Sequence, residues 1–514
     1  MASLALPVSH PSWLLVMREA FARARFSEAA AIYDSHAAAG DTIPEAVLLR
    51  ARILLKTSAS EAIDFLLQRK SDGTAHDRYL RQLYLGIGYS RLREFAIADE
   101  HFARAGELAP PTVGERCEIA YHRARRFLLE SRIPDAWSAY EDTVADTSPY
   151  GEVRSETLRG FICAFTQRYA EQASSLIRTL ALIARDRSAH LEEWYCAIHT
   201  LAVLARERVD AAAYETALEE LSRTEEWSPD FLLHRFQALR ALGWCKGLHG
   251  DSLGCFRSLR EAQAVAEVMT SGKAWRTIVL LDRAHFATLA GEAHWASDEL
   301  ASAQELARQV SWEHTTGEER IALLLFAELL APADPDKARL FLARFKELHD
   351  LRSPLHFFAF DDRLEALAAT ASGMVFFATG NLEEAERNLK TAWSTFDRIG
   401  YDWRAAKAAL ALYRVTGKLR WRLLAAEKLE PYPESWLSRE LQSLGEETST
   451  AQARPLTPMQ QRVHDLVCEG LSTEAMAVRL GRSPNTVRNH IKLVFKACGV
   501  RSRAALVARS VRAR

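Results

Sequence analysis

The sequence predicts an all-α chain: an array of about ten helical hairpins over residues 1–441, a polar linker over 442–454, and a small four-helix domain over 455–514. Three observations carry this. Before residue 440 apolar residues recur at i, i+3, i+4 and i+7 and almost nowhere alternate with a period of two, which is the pattern of helices and not of strands. A small residue returns at steps of 33 to 47 residues, as an internal repeat would place it. Charge also divides the chain. Residues 455–514 carry 11 Lys+Arg against 3 Asp+Glu, a net of +8, which leaves 55 against 64, a net of −9, for the rest of a chain whose total is −1.

The clearest hairpin reads Leu85-Gly86, Tyr89, Ala98, Phe102, Ala105 and Pro110. Small residues stand where two helices cross, large ones fill between them, and a proline ends the second helix. Gly373, Phe376, Gly380, Ala385, Leu389 and Ala392 form a later copy, whose shared positions keep the same spacing. With the small residue early in each second helix as marker, the rungs are Ala29, Ala62, Ala98, Ala136, Ala173, Ala213, Cys255, Ala296, Ala338 and Ala385. Any larger side chain there would hold the two helices apart. Here the sequence resembles tetratricopeptide repeats and the longer helical repeats of MalT-like regulators. That resemblance implies a tetratricopeptide-like α-solenoid, in which each hairpin buries its apolar face on the next and leaves a concave surface. First-helix aromatics such as Phe127, Trp194, Trp244, Trp275 and Phe376 are expected to fill the space between hairpins, with a ligand groove as the alternative.

Seven cysteines at scattered spacings suit neither a zinc ribbon nor a disulfide framework and are expected in a reducing compartment. The apolar run Trp13–Met17 has no basic flank or small-residue cleavage pattern, so a signal peptide is not expected. No apolar stretch approaches the roughly 20 residues of a membrane helix. A cytoplasmic protein without membrane contact is expected.

In the tail, Thr457 and Pro458 suit the start of a helix that stops at Gly470. Ser472 caps a second helix that ends near Leu480, and Gly481 can take the left-handed conformation that reverses the chain. Ser483-Pro484 opens a third helix, to Cys498, and a fourth runs from about Ser502 to Val511. Ala477, Gly481 and Val487 have helix-turn-helix spacing: a small residue at the crossing, a turn glycine, and a branched anchor. Val487, Ile491 and Val494 share one stripe of the third helix, which leaves Asn485, Arg488, Asn489, Lys492 and Lys496 on the other. Those side chains suit a major groove, where Arg and Lys donate to guanine, Asn pairs with adenine, and further cations meet phosphates.

The tail closely resembles LuxR-type regulators from about Leu456 to Arg509. The matching pieces are Leu456-Thr457-Pro458, Glu469-Gly470-Leu471-Ser472, Arg479-Leu480-Gly481, Ser483-Pro484, Thr486-Val487-Arg488, His490, Gly499-Val500 and Arg503. The resemblance implies base-facing positions at Arg488, Asn489 and Lys492, with Ser483 and Thr486 near the DNA backbone. It also implies a homodimer on DNA through the last helix, where Leu506, Val507 and Val511 share a side; packing on the first helix is the alternative for that stripe. His490 is expected to be a hydrogen-bonded structural histidine, with a base-reading role as the alternative. Gln460 and Ala475 stand where the family carries glutamates, and Ala497-Cys498 replaces its Lys-Leu pair.

No GxxxxGK[ST] phosphate loop and no HExxH metal motif occurs, no receiver-type strand pattern is present, and Asp361-Asp362 reads as a helix start. No enzyme and no cofactor is expected. The chain therefore reads as a transcription regulator for double-stranded DNA, with RNA polymerase a candidate partner. Its repeats would hold a peptide, protein or small-molecule effector, oligomerise, or bind a partner. The alternative is a repeat-based adaptor whose basic tail serves only for docking or non-specific nucleic-acid contact.

Overall fold

The structure, a computed structural model, describes residues 11–69, 73–108, 112–130, 132–208, 211–223, 227–269, 272–315, 317–350, 362–451, 458–497, 503 and 506. Among these there is no strand, and the chain divides into two compact units, Met1–Leu424 and Ala425–Arg514.

In the first unit ten antiparallel hairpins follow one another. They begin with Ser12–Ala22 and Phe26–Ser35, Pro44–Thr57 and Ala59–Gln68, and Ala75–Arg91 and Phe95–Leu108. Next come Val113–Leu129 and Ile133–Thr143, Pro149–Phe165 and Tyr169–Ile183, and Leu191–Arg208 and Ala211–Ser222. The last four are Leu232–Leu248 and Ser252–Val268, Gly272–Leu289 and Ala293–Ala307, Gly317–Leu330 and Pro335–Asp350, and Asp362–Ala378 and Leu382–Ile399. The helix Asp402–Thr416 then packs on the tenth hairpin, before Leu419–Leu429. This is the tetratricopeptide-like solenoid the repeat pattern predicts.

Every rung residue is buried, none more than 9% exposed, in the first turns of a second helix. A Cβ on Gly86 would lie 2.7 Å from the Phe102 ring, and one on Gly373 would lie 2.5 Å from Leu389, so both copies cross at the same register. A shared turn fixes that register. In seven hairpins the residue four before the rung donates its amide to the carbonyl five residues earlier, as from Glu94 to Tyr89 (3.0 Å) and Asn381 to Phe376 (2.9 Å). The residue between the two helices is left-handed: Gly250, Gly291 and Gly380 in three turns, but Ala24, Arg93 and Gln167 in three others. The fifth hairpin shows a shift. Arg168 donates to Cys163 and Gln172 to Arg168, so Gln172 occupies the rung and Ala173 lies one residue beyond it, both buried. A glutamine escapes a search for small residues. The aromatics Phe127, Trp194, Trp244 and Trp275 are buried and Phe376 half-buried.

The Gly250–Gly254 turn, Gly-Asp-Ser-Leu-Gly, also has the G-x-S-x-G spacing of a hydrolase nucleophile elbow, which needs a strand before it. Here helices flank it on both sides, and Asp251 caps the second by accepting from the Gly254 amide (2.8 Å).

The array closes on itself twice. Ser228 Oγ donates to the Ala24 carbonyl (2.6 Å), and Phe231 meets Phe26 with ring centroids 5.9 Å apart, which brings the first hairpin to the start of the seventh. Further on, Trp403 Nε1 donates to the Arg206 carbonyl (3.0 Å), and Arg404 pairs with Glu207 on the sixth hairpin. Glu207 is fully buried; against the upward push of burial, Arg206 and Arg404 hold its carboxyl below the usual range.

In the second unit the helix Trp436–Ala451 runs through most of 442–454, the segment expected as a linker, and 452–454 lie outside the described residues. Pro110 also lies outside them. Among the described residues no helix is long and apolar enough to cross a membrane.

Three outcomes test this account. Ala98→Leu should cost about 1–3 kcal/mol in urea unfolding, the usual effect of overfilling a close crossing, whereas Leu253→Ala, at a site 82% exposed, should stay within about 0.5 kcal/mol. Arg93→Gly relieves a left-handed non-glycine residue and should raise stability by up to about 1 kcal/mol, read the same way. Burial pulls the His122 and His234 imidazoles down to about 4 and that of His285 to about 3. Because their folded values lie below the unfolded value, their contribution is complete above pH about 6.5 and is lost as the pH falls toward 4. Thermal melts should therefore weaken between pH 7 and 5, with a shallower slope in His285→Gln.

Candidate nucleic-acid interface

The helix Pro458–Cys468 begins at the expected proline; Thr457, its expected cap, lies outside the described residues. Gly470 is left-handed and the Leu471 amide returns to the Leu466 carbonyl (3.2 Å), which turns the chain sharply. Ser472 then caps the helix Thr473–Leu480, with its side chain accepting from the Ala475 amide (3.1 Å). Gly481 takes φ 60° and ψ 40°, and the Arg482 amide donates to the Ala477 carbonyl (3.0 Å). Ser483 Oγ accepts from the Thr486 amide (3.1 Å) and opens the helix Pro484–Ala497.

One apolar cluster holds these helices together: Val463, Leu466 and Val467 of the first, Met476 and Ala477 of the second, and Val487, Ile491 and Val494 of the third. The stripe that the sequence assigns to the interior is therefore the one that is buried. On the opposite side Asn485, Arg488, Asn489 and Lys492 are exposed, with Ser483 exposed in the turn and Thr486 half-buried behind it. Lys496 lies on the same helix, but its side chain is outside the described residues. Arg488 Nη1 donates to Asn485 Oδ1 (2.7 Å), and Arg488 Nη2 lies 3.9 Å from Glu474 Oε1. The guanidinium is thus held along the helix face by a neutral acceptor and only loosely by a carboxylate. His490 is half-buried, and its Nδ1 is buried with no hydrogen-bond partner.

Of the expected fourth helix only Arg503 and Leu506 are described, both helical. Leu506 is 1% exposed and belongs to the same apolar cluster, so this residue of the expected dimer stripe packs inside the domain; Val507 and Val511 lie outside the described residues. Arg503 donates to the Leu471 carbonyl (2.7 Å) and to Thr473 Oγ1 (3.0 Å), tying the last segment to the start of the second helix. The turn also exposes Arg482, which the sequence reading omits. Its signal is a basic residue directly before the cap of an exposed basic helix. Among the described residues no three His, Cys, Asp or Glu side chains are grouped to hold a metal ion.

Residues 454–510 match the family model described as bacterial regulatory proteins, luxR family. Over 117 residues, 23% of this chain, the sequence is 30% identical to the transcriptional regulatory protein DesR of Bacillus subtilis (strain 168), and the alignment spans 57% of that protein's length. A solved structure of the APC/C hetero-tetramer Cut9-Hcn1 aligns with 97% of this chain and 95% of its own, at 13% identity and a TM-score of 0.28.

Proposed function

We propose, from the premise that residues 454–510 are a luxR-family helix-turn-helix module, that this chain is a transcription regulator that acts by binding double-stranded DNA. One observation carries the reading. The helix Pro484–Ala497 buries its Val487, Ile491 and Val494 stripe and keeps Arg488, Asn489 and Lys492 exposed on the other face. That is the division a helix needs in order to dock in a major groove without unfolding its domain.

In this reading Arg488 and Lys492 donate to guanine O6 and N7, and Asn489 pairs with adenine. Ser483, Asn485, Thr486 and Lys496 meet the sugar-phosphate backbone, together with Arg482. Two copies would occupy half-sites about 34 Å apart, one helical turn of DNA, so a homodimer on DNA belongs to the proposal. The segment 442–454 would join this module to the repeats. The hairpin array is the sensing part, holding an effector or a protein partner that sets how the modules meet a promoter. A cytoplasmic location suits a regulator of this kind.

Fluorescence anisotropy with promoter fragments tests the reading. Arg488→Ala and Lys492→Ala should each weaken specific binding, by about 1–3 kcal/mol where the contact to a base is bidentate. A side chain that meets only phosphate would instead weaken all sequences alike and lower the salt dependence by about one ion. Unchanged affinity in both variants contradicts the assignment, and binding that ignores sequence altogether favours a docking module.

A further inference from the structure

The first helices of the second to sixth hairpins surround a cavity of about 460 Å³. Lys56 on the second hairpin reaches Glu192 on the sixth, 136 residues away in sequence, so the wall is drawn together across the ring. The volume falls in the range of small-molecule sites, about 300–1,000 Å³, and far exceeds the space one ordered water needs.

Five cations line it: Arg52, Lys56, Arg91, Arg125 and Arg154. Two are matched, Lys56 by Glu192, and Arg154 by Glu118 and, at 3.5 Å, by Glu193. Arg52, Arg91 and Arg125 have no carboxylate within ion-pair distance among the described residues, and of the lining carboxylates only Glu115 is left without a cation. Five cations thus face four carboxylates, a net of +1, and because Arg154 takes two of the four, three guanidinium groups have no ion-pair partner among the described residues. Tyr79, Tyr84, Tyr121 and Tyr150 form much of the remaining wall. Arg125 lies over the Phe161 ring at 5.0 Å and Arg154 over the Tyr121 ring at 3.9 Å.

An unmatched cation withdrawn from water is costly, and well-packed apolar residues would hold the same hairpins together at no such cost. Elsewhere in the array buried cations are answered, as Arg240 is by Asp282 and Arg206 by Glu207. Here three guanidiniums without an ion-pair partner among the described residues line one half-open cavity. Burial and Arg125 beside it draw the Arg91 guanidinium down to about 10, whereas at Arg52, against the pull of burial, Tyr84 and Tyr150 hold the guanidinium above its ordinary value.

We propose that this cavity binds a small organic anion, a compact molecule bearing carboxylate or phosphate groups, with Arg52, Arg91 and Arg125 as its charge partners. Planar guanidinium forks match the oxygens of either group in pairs, and the tyrosine rings supply flat walls for the body of the ligand. The inference rests on the reading of the repeats as the sensing part and names the chemical class that they sense.

Calorimetric titration and thermal melts of the full chain test it, with citrate and pyrophosphate as probes, glycerol as an uncharged control, and ionic strength held constant. At least one anion should bind saturably at millimolar concentration or below and raise the melting temperature, while glycerol does neither. Arg91→Gln and Arg125→Gln should each weaken that response at least tenfold. Arg125→Lys, which keeps the charge, should retain most of it, which separates lost recognition from a lost fold. Arg488→Ala should leave it intact and so place the anion away from the basic tail. No saturable binding of either probe, or the same affinity in both glutamine variants, overturns the proposal. The titration contains no DNA, so its failure leaves the DNA-binding reading standing, and loss of DNA binding leaves this result unchanged.

Discussion

The close crossing of two helices at a small rung residue is the constraint on which the hairpin array depends. A glycine such as Gly86 or Gly373 admits the partner's Phe102 or Leu389 to a distance at which even a methyl group would collide. The shared left-handed turn sets the register that brings those residues opposite each other. Where the turn residue is Ala24, Arg93 or Gln167, the backbone holds a conformation that non-glycine residues disfavour by about 1–2 kcal/mol, and the crossing it enables outweighs that cost. Register inherited from a turn also explains how hairpins with different side chains can stack into one array.

Close crossings draw the first helices together, and the array then closes through a few polar contacts distant in sequence. Ser228 with Ala24, Trp403 with Arg206, and Arg404 with Glu207 each join parts of the chain about 200 residues apart. A buried ion pair specifies an arrangement better than it stabilises one, because desolvation consumes most of the Coulomb gain. The matched interior pairs fit that role. Arg52, Arg91 and Arg125 of the cavity make no such ion pair among the described residues; Arg52 and Arg125 meet their neighbours through the rings of Phe21 and Phe161 instead.

Much of this was legible in the sequence because the features that carry it are local. Rung spacing needs only small residues at regular intervals, and all ten markers lie buried in the first turns of a second helix. Ala173 stands one residue past the turn register because Gln172 fills that place, and a polar residue gives no signal in a search for alanine. The helix Pro484–Ala497 was equally readable: Ser483-Pro484 announces its start, and a stripe of branched residues separates inside from outside. Closure of the array and the charge balance of its cavity were not readable. Both depend on which helices meet after 100 residues or more, and no window along the chain contains Lys56 together with Glu192.

Leu506 limits which residues can form an interface between two copies. A leucine 1% exposed in the core with Val463 and Leu466 cannot also form the apolar seam between two copies. Exposing it would open the packing that supports Val487 and Val494, and hence the helix Pro484–Ala497 itself. Any pairing of two such modules must therefore use a face that leaves Leu506 covered. Arg503 reinforces the point, because its bonds to Leu471 and Thr473 tie this segment to the cap of the second helix. Arg503 and Leu506 thus belong to the domain's own core first, and an interface can use only what that core leaves exposed.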